Sequence, residues 1–112
     1  MQEQPLLDAG HENVVSLAKE TQYAAHGIVS RTLLRGPNCR VVLFGFAAGQ
    51  ELTEHTSPHR ALVQVLSGEC DFLLGQTWQH LKAGDLAHLP PGLPHAVKAP
   101  QEFSMLLTLI HA

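Results

Sequence analysis

Charge is scarce in this chain. Asp, Glu, Lys and Arg together make up 15% of its 112 residues, and the seven Lys and Arg are scattered along it. A protein that grips a phosphate backbone needs its cations clustered on one face, so nucleic acid is not an expected partner. Long hydrophobic runs are missing too. None reaches the roughly 18 apolar residues of a membrane-spanning helix. Residues 1–15 lack the basic and apolar regions of a secretion signal, which gives the cytoplasm as the expected location and excludes a membrane partner. Cysteine is limited to Cys39 and Cys70, with no Cys-x-x-Cys pair. That is too few for a disulfide scaffold, and both are expected to be small buried hydrophobes. There is no Gly-x-Ser-x-Gly elbow and no phosphate-binding glycine loop. The acidic residues fall mainly at turns or near the N-terminus, which leaves no carboxylate pair suited to glycoside hydrolysis.

What is present is enough apolar material for one packed domain. Apolar residues make up 45% of the chain, the net charge is −3, and the length fits a single unit. Residues 1–13, polar and carrying Pro5 and Gly10, are expected to be an irregular N-terminal arm, with one domain over residues 14–112. From Val14 onward short apolar runs alternate with turn signals. The runs cover residues 14–18, 27–34, 39–47, 60–67, 69–75, 85–90, 95–99 and 103–112. Between them stand Gly-Pro-Asn (36–38), Ser-Pro (57–58), Ala-Gly-Asp (83–85) and Pro-Pro-Gly (90–92). This punctuation leaves no room for ten-residue helices and predicts an all-β barrel or sandwich of about ten short strands. A helical turn within residues 14–25 remains compatible with the pattern. The run Phe-Ser-Met-Leu-Leu-Thr-Leu-Ile is continuously apolar, as suits a strand covered on both faces.

Eight histidines are the unusual feature of the composition. Imidazole is both the commonest metal ligand and the side chain most able to exchange a proton near neutral pH. Two of the eight stand in informative surroundings. Gly84 is followed at fixed spacing by Pro90, Gly92 and His95, and Gly49 is followed by His55, with Gly68 closing that segment. These segments resemble the two sequence motifs of the cupins, small double-stranded β-helix (jelly-roll) barrels. The second motif fits through its His, with Ala99 where the family carries Asn. The first departs further: Ser57 stands at the second His position, and Ala61 at the Glu position. The resemblance covers about residues 40–110 and looks like the compact stand-alone cupins, many of which have no assigned reaction.

The resemblance implies a divalent transition metal, Zn, Ni, Mn or Fe, held by imidazole and carboxylate donors. Only His55 and His95 carry over as ligands, with His59 as a candidate third. In a straight strand His59 would lie about 13 Å beyond His55, so it needs a bend at Ser57-Pro58 to return. Strand alternation in the family register turns Ala61, Val63 and Val65 inward. Ser57, His88, Phe103 and Met105 complete the expected pocket, although the parity of His88 leaves it either inside the barrel or on the outer sheet face. His11, His26, His80 and His111 are expected at the surface or the termini. The expected partners are a small-molecule ligand and a second copy of the chain. Two other functions fit the same residues. One is a metal-free ligand-binding or regulatory module. The other is a metal-independent isomerase or epimerase with a pocket His as base.

Overall fold

The computed structural model describes residues 4–111. It contains one helical turn, α1 (Leu17–Glu20), and nine strands: β1 (Ile28–Arg35), β2 (Cys39–Phe46), β3 (Glu51–His55), β4 (Arg60–Ser67), β5 (Glu69–Leu74), β6 (Thr77–Lys82), β7 (Leu86–Leu89), β8 (His95–Lys98) and β9 (Phe103–Ile110). Five strands form one sheet in the order β1-β2-β9-β4-β7, and four form the other in the order β3-β8-β5-β6. Every pairing is antiparallel. Strands adjacent in sequence often lie on opposite sheets, which is the jelly-roll arrangement.

Alternation builds the core. In β4, Ala61, Val63 and Val65 are buried while Arg60 and Gln64 are exposed. The inward members of β5, Cys70 and Phe72, meet them from the facing sheet, and Phe103 and Met105 of β9 join the same cluster. Phe46 and Phe103 are opposite one another in the ladder, with ring centroids 4.6 Å apart. Both cysteines are free, and burial, reinforced by Asp71 and Asp85, pushes the Cys70 thiol up to about 12. Such a thiol stays protonated and inert. The Gly84-Asp85 turn follows from its residues. Gly84 adopts φ +96°, and the Asp85 carboxylate accepts the Lys82 N–H at 2.9 Å.

Three segments differ from the sequence reading. The apolar run at 14–18 forms no strand. Ser16 caps a single turn instead, its hydroxyl accepting the Lys19 N–H, and Thr21 closes that turn by donating to the Leu17 carbonyl at 2.7 Å. Conversely, β3 and β6 are strands outside the apolar runs. Described residues 4–13 carry no helix or strand, yet Leu6 and Leu7 donate backbone hydrogen bonds to Thr32 and Leu33 of β1.

The segment after α1 crosses the outside of the five-stranded sheet. Arg31 holds the Glu20 carboxylate at 2.8 Å, and the Tyr23 hydroxyl meets Ser67, which in turn meets the buried Ser104 hydroxyl at 2.6 Å. Gly45 lets this strap lie flat, because a Cβ there would overlap the Gln22 carbonyl oxygen and crowd the Tyr23 ring. Gly45→Ala is therefore expected to destabilise the fold by about 1–3 kcal/mol, the usual range for overpacking. Limited proteolysis should then cut the strap faster than in the parent. An unchanged cleavage rate and denaturation midpoint would contradict the role given to Gly45.

Candidate functional site

Two imidazoles meet at the open end of the barrel. His55 ends β3 and His95 begins β8, and the antiparallel register places them directly opposite one another. Cross-strand partners share a face, and the two rings stand edge to face with centroids 4.2 Å apart. The backbone fixes their orientation. His55 Nδ1 lies 2.8 Å from the Thr53 carbonyl and His95 Nδ1 lies 2.9 Å from the Leu93 carbonyl. A carbonyl only accepts, so each Nδ1 carries a proton, and in the neutral ring Nε2 keeps its lone pair. Metal-ligating histidines are usually oriented by such outer hydrogen bonds. Phe72 lies nearly parallel to the His95 ring at 6.5 Å. Burial pulls the His95 imidazole below the usual histidine range, the Leu93 carbonyl acts against that shift, and the His55 charge adds to it. At neutral pH His95 is therefore held in its neutral form.

Two loops frame the mouth. Gly92, at φ +81°, donates its N–H to the Ser57 carbonyl at 2.8 Å and ties the Pro90-Pro91-Gly92 turn to the loop after β3. The Ser57 hydroxyl accepts the His59 N–H at 3.2 Å, so the chain bends at Ser57-Pro58 and returns His59 to the opening. The result is a cavity of about 200 Å³ whose polar lining is His55, Ser57, His59 and His95. The remaining wall is apolar: Ala61, Leu89, Pro90, Leu93, Leu107 and Leu109. That volume is below the roughly 300–1,000 Å³ of pockets for drug-sized molecules.

The structure separates the expected pocket residues into two groups. Ser57 and Ala61 line the cavity beside His55, His59 and His95. Val63, Val65, Phe103 and Met105 do not. They lie deeper in the barrel, buried in the packed core, which corrects their expected place in the pocket. His88 is a second correction. Ala87 and Leu89 take the inward positions of β7, so His88 faces outward, with Nε2 2.6 Å from the Arg60 guanidinium.

His111, expected at the surface or the termini, packs its ring on His59 with centroids 4.2 Å apart. The signal for it lay in the strand pattern. Arg60 pairs with Ile110, and continuing that register by one residue brings His59 opposite His111. Both histidines also continue inward rows, one through Ala61 and Val63 and the other through Leu107 and Leu109. The cavity end of the barrel thus has one cross-strand imidazole pair on each sheet.

No metal shell is complete in the protein alone. Among the described residues, no group of three or more His, Cys, Asp or Glu side chains is placed to hold an ion. Ala61 supplies no donor where a carboxylate would be needed. In the neutral rings the Nε2 atoms of His55 and His95 nevertheless suit two positions of a divalent-metal shell, since the backbone carbonyls orient both rings and both residues line the cavity. His59 lies on the same cavity wall without a partner that fixes its tautomer among the hydrogen bonds found.

A separate titrating cluster lies on the outside of β5 and β6. His80 Nε2 meets Glu69 at 2.7 Å, and its Nδ1 meets Asp71 at 2.9 Å. The bonds to Asp71 and Glu69 raise the His80 imidazole above its ordinary 6.5, while the bond from His80 holds the Glu69 carboxyl low. A raised histidine binds its proton more tightly in the folded chain. Its stabilising contribution is complete below pH 6.5 and is lost as pH rises through the higher folded value. An NMR titration should place His80 above 6.5. The stability difference between the parent and His80→Ala should shrink between pH 6 and pH 9. A His80 titration at or below 6.5 would contradict this reading. Nearby, Lys98 Nζ lies 4.8 Å over the ring centroid of Trp78 on the edge strand β6.

The chain belongs to the cupin family: the Cupin domain family model matches residues 42–111. A conserved protein of unknown function from Streptococcus pyogenes is similar over the whole of this chain and 96% of its own, at 29% identity and TM-score 0.85. A cupin 2 conserved barrel domain protein from Leptotrichia buccalis is 36% identical over 83% of this chain and 45% of its own, with TM-score 0.79. A DMSP lyase from Ruegeria pomeroyi, 23% identical over 74% of this chain and 46% of its own at TM-score 0.69, shares the fold. No curated protein matches the chain. No helix among the described residues is long and apolar enough to cross a membrane.

Proposed function

We propose that this protein is a small-molecule-binding cupin that holds a divalent transition metal, Zn, Ni, Mn or Fe, through Nε2 of His55 and His95. The observation that carries the reading is the matched orientation of the pair, each Nδ1 committed to a backbone carbonyl and each Nε2 free at the cavity. When bound, the metal supplies Lewis-acid polarisation or activation of water or dioxygen. The residues of the chain do the rest. His55 and His95 hold their lone pairs in place, Phe72 backs the His95 ring, and Leu89, Leu93, Leu107 and Leu109 exclude water from the apolar part of a ligand. Elemental mass spectrometry on untagged protein purified without chelator tests the reading beside His55→Ala/His95→Ala. Near-stoichiometric metal in the parent, lost in the double variant, is the expected result. Absence of metal even after soaking with all four ions would overturn it.

A second reading dispenses with the metal. The neutral His95, whose Nδ1 is committed to the Leu93 carbonyl, also suits a general base in an isomerase or epimerase, or a hydrogen-bond acceptor in a metal-free binding module. A base predicts a bell-shaped or sigmoidal pH profile that His95→Gln removes in metal-stripped protein.

The protein is proposed to act in the cytoplasm as a homodimer. Leu86, 64% exposed on the outer face of the five-stranded sheet, supports a self-association surface there. Light scattering on Leu86→Glu, monomeric where the parent is dimeric, would bear on that assignment.

A further inference from the structure

Arg35 and Arg40 are direct partners across the β1–β2 hairpin. Cross-strand partners project from one face with Cβ atoms about 4.5–5.5 Å apart, and like charges so placed repel. No acid on the neighbouring strands offsets them. β1, β2 and β9 contain no Asp or Glu, and among the described residues neither arginine takes part in an ion pair. Asp8 shares a polar recess with Arg35, but its two oxygens are already engaged by the Gly10 N–H and the His11 ring. Arg40 is also poorly satisfied. Its Nη2 donates to the buried Thr32 hydroxyl over a long 3.4 Å, and its Nε is buried with no hydrogen-bond partner among the described residues. An unpaired buried donor is costly, more so on a charged group. The unpaired donor and the unneutralised charge call for the same thing, an anion with several oxygens.

We infer that Arg35 and Arg40 form a binding site for the phosphate group of a small molecule. The ladder runs on from Arg40 to Leu109 and from Leu109 to Ala61, both on the cavity wall, so the pair stands at the level of the cavity. Neither arginine lines that cavity, which makes the site independent of the metal-binding reading. Charge and donor number select phosphate over carboxylate. Two guanidinium groups bring two positive charges and a fork of donors each. A carboxylate carries one charge and is filled by one fork, whereas a phosphate monoester carries nearly two charges and three acceptor oxygens at neutral pH. Arg40 reaches the phosphate by turning away from Thr32. That gives up only the long contact and releases Nε from its unpaired burial.

The test is a titration of untagged full-length protein with inorganic phosphate, and separately with acetate, at constant ionic strength. The readouts are the arginine Nε–H signals in ¹H–¹⁵N NMR spectra and the thermal midpoint. Phosphate is expected to shift the signals that Arg35→Gln and Arg40→Gln remove, and to saturate with a dissociation constant of about 1 mM or below. At about ten times that constant the midpoint should rise by about 5 °C. Each of the two variants should weaken phosphate binding by about tenfold or more, the range for a charged hydrogen bond. Arg35 is exposed, so Arg35→Gln carries the test should Arg40→Gln lose its fold. Arg60→Gln, at a guanidinium that meets His88 on the outer face, should bind phosphate as the parent does. A spectrum and midpoint indifferent to phosphate overturn the proposal. So does an equal loss in Arg60→Gln, which would mean diffuse attraction to positive charge. Acetate binding as tightly as phosphate overturns the assignment of the ligand class.

Discussion

Phe103→Ala is expected to destabilise the protein by about 3–5 kcal/mol, the usual cost of removing a buried aromatic ring. Phe103 is 0% exposed and stacks on Phe46 at 4.6 Å, so the ring contributes both burial and aromatic contact. The surroundings limit collapse into the cavity that would remain. The Phe103 backbone lies against Gly68, where even a methyl group would overlap the Glu102 carbonyl oxygen and approach Phe103 Cβ to 2.8 Å. Gly68 is also at φ +73°, which pins the tight connection between β4 and β5. Domains of this size are stable by only about 5–15 kcal/mol, so the variant should lose a large fraction of the total. Thermal unfolding followed by circular dichroism should show a midpoint lower by at least 10 °C, at roughly 4 °C per kcal/mol. Phe44→Ala, at a ring only partly buried beside the core, should cost less. A Phe103→Ala loss under about 1 kcal/mol would mean that the two sheets close over the gap.

The strands that build this core were legible because burial imposes alternation. β4 shows it plainly, with Ala61, Val63 and Val65 inward and polar partners outward. β6 was not legible for the opposite reason. It is an edge strand with four exposed residues at its start, and backbone pairing to β5 rather than an apolar face makes it a strand. β3 is similar, an edge strand with only Leu52 partly buried. The run at 14–18 misled in the other direction. It is apolar enough for a strand, but Val14 is 92% exposed and the Ser16 cap turns the chain into a helix.

The site was legible to the same degree. Motif spacing singled out His55 and His95, and the structure makes them neighbours. Spacing could not supply the two carbonyls that set their tautomers, because those belong to residues 53 and 93, whose identities carry no signal. The pairing of His59 with His111 was written in the β4–β9 register, which becomes available only once the two strands are known to be partners. His88 shows the limit of parity without register. Only Ala87 and Leu89, buried on the other face, decide that it points outward.

Within the cavity, His95→Ala and His59→Ala should separate sharply. Both residues are imidazoles on one wall, and composition alone gives them equal standing. Their supports differ. His95 is fixed by the Leu93 carbonyl, backed by Phe72 and held neutral by burial, while His59 leans on His111. Losing an outer hydrogen bond to a ligating histidine typically lowers metal affinity by roughly 10–100-fold, and losing the ligand itself costs more. His95→Ala should therefore reduce the affinity for Co²⁺, used as a spectroscopic probe of the site, by more than about 100-fold with the circular dichroism spectrum unchanged. His59→Ala should change it less than about fivefold, the effect expected of a wall residue that shapes the opening without ligating. Equal losses in the two variants would make His59 a third ligand. That would add a third imidazole to the two whose orientation the backbone carbonyls fix.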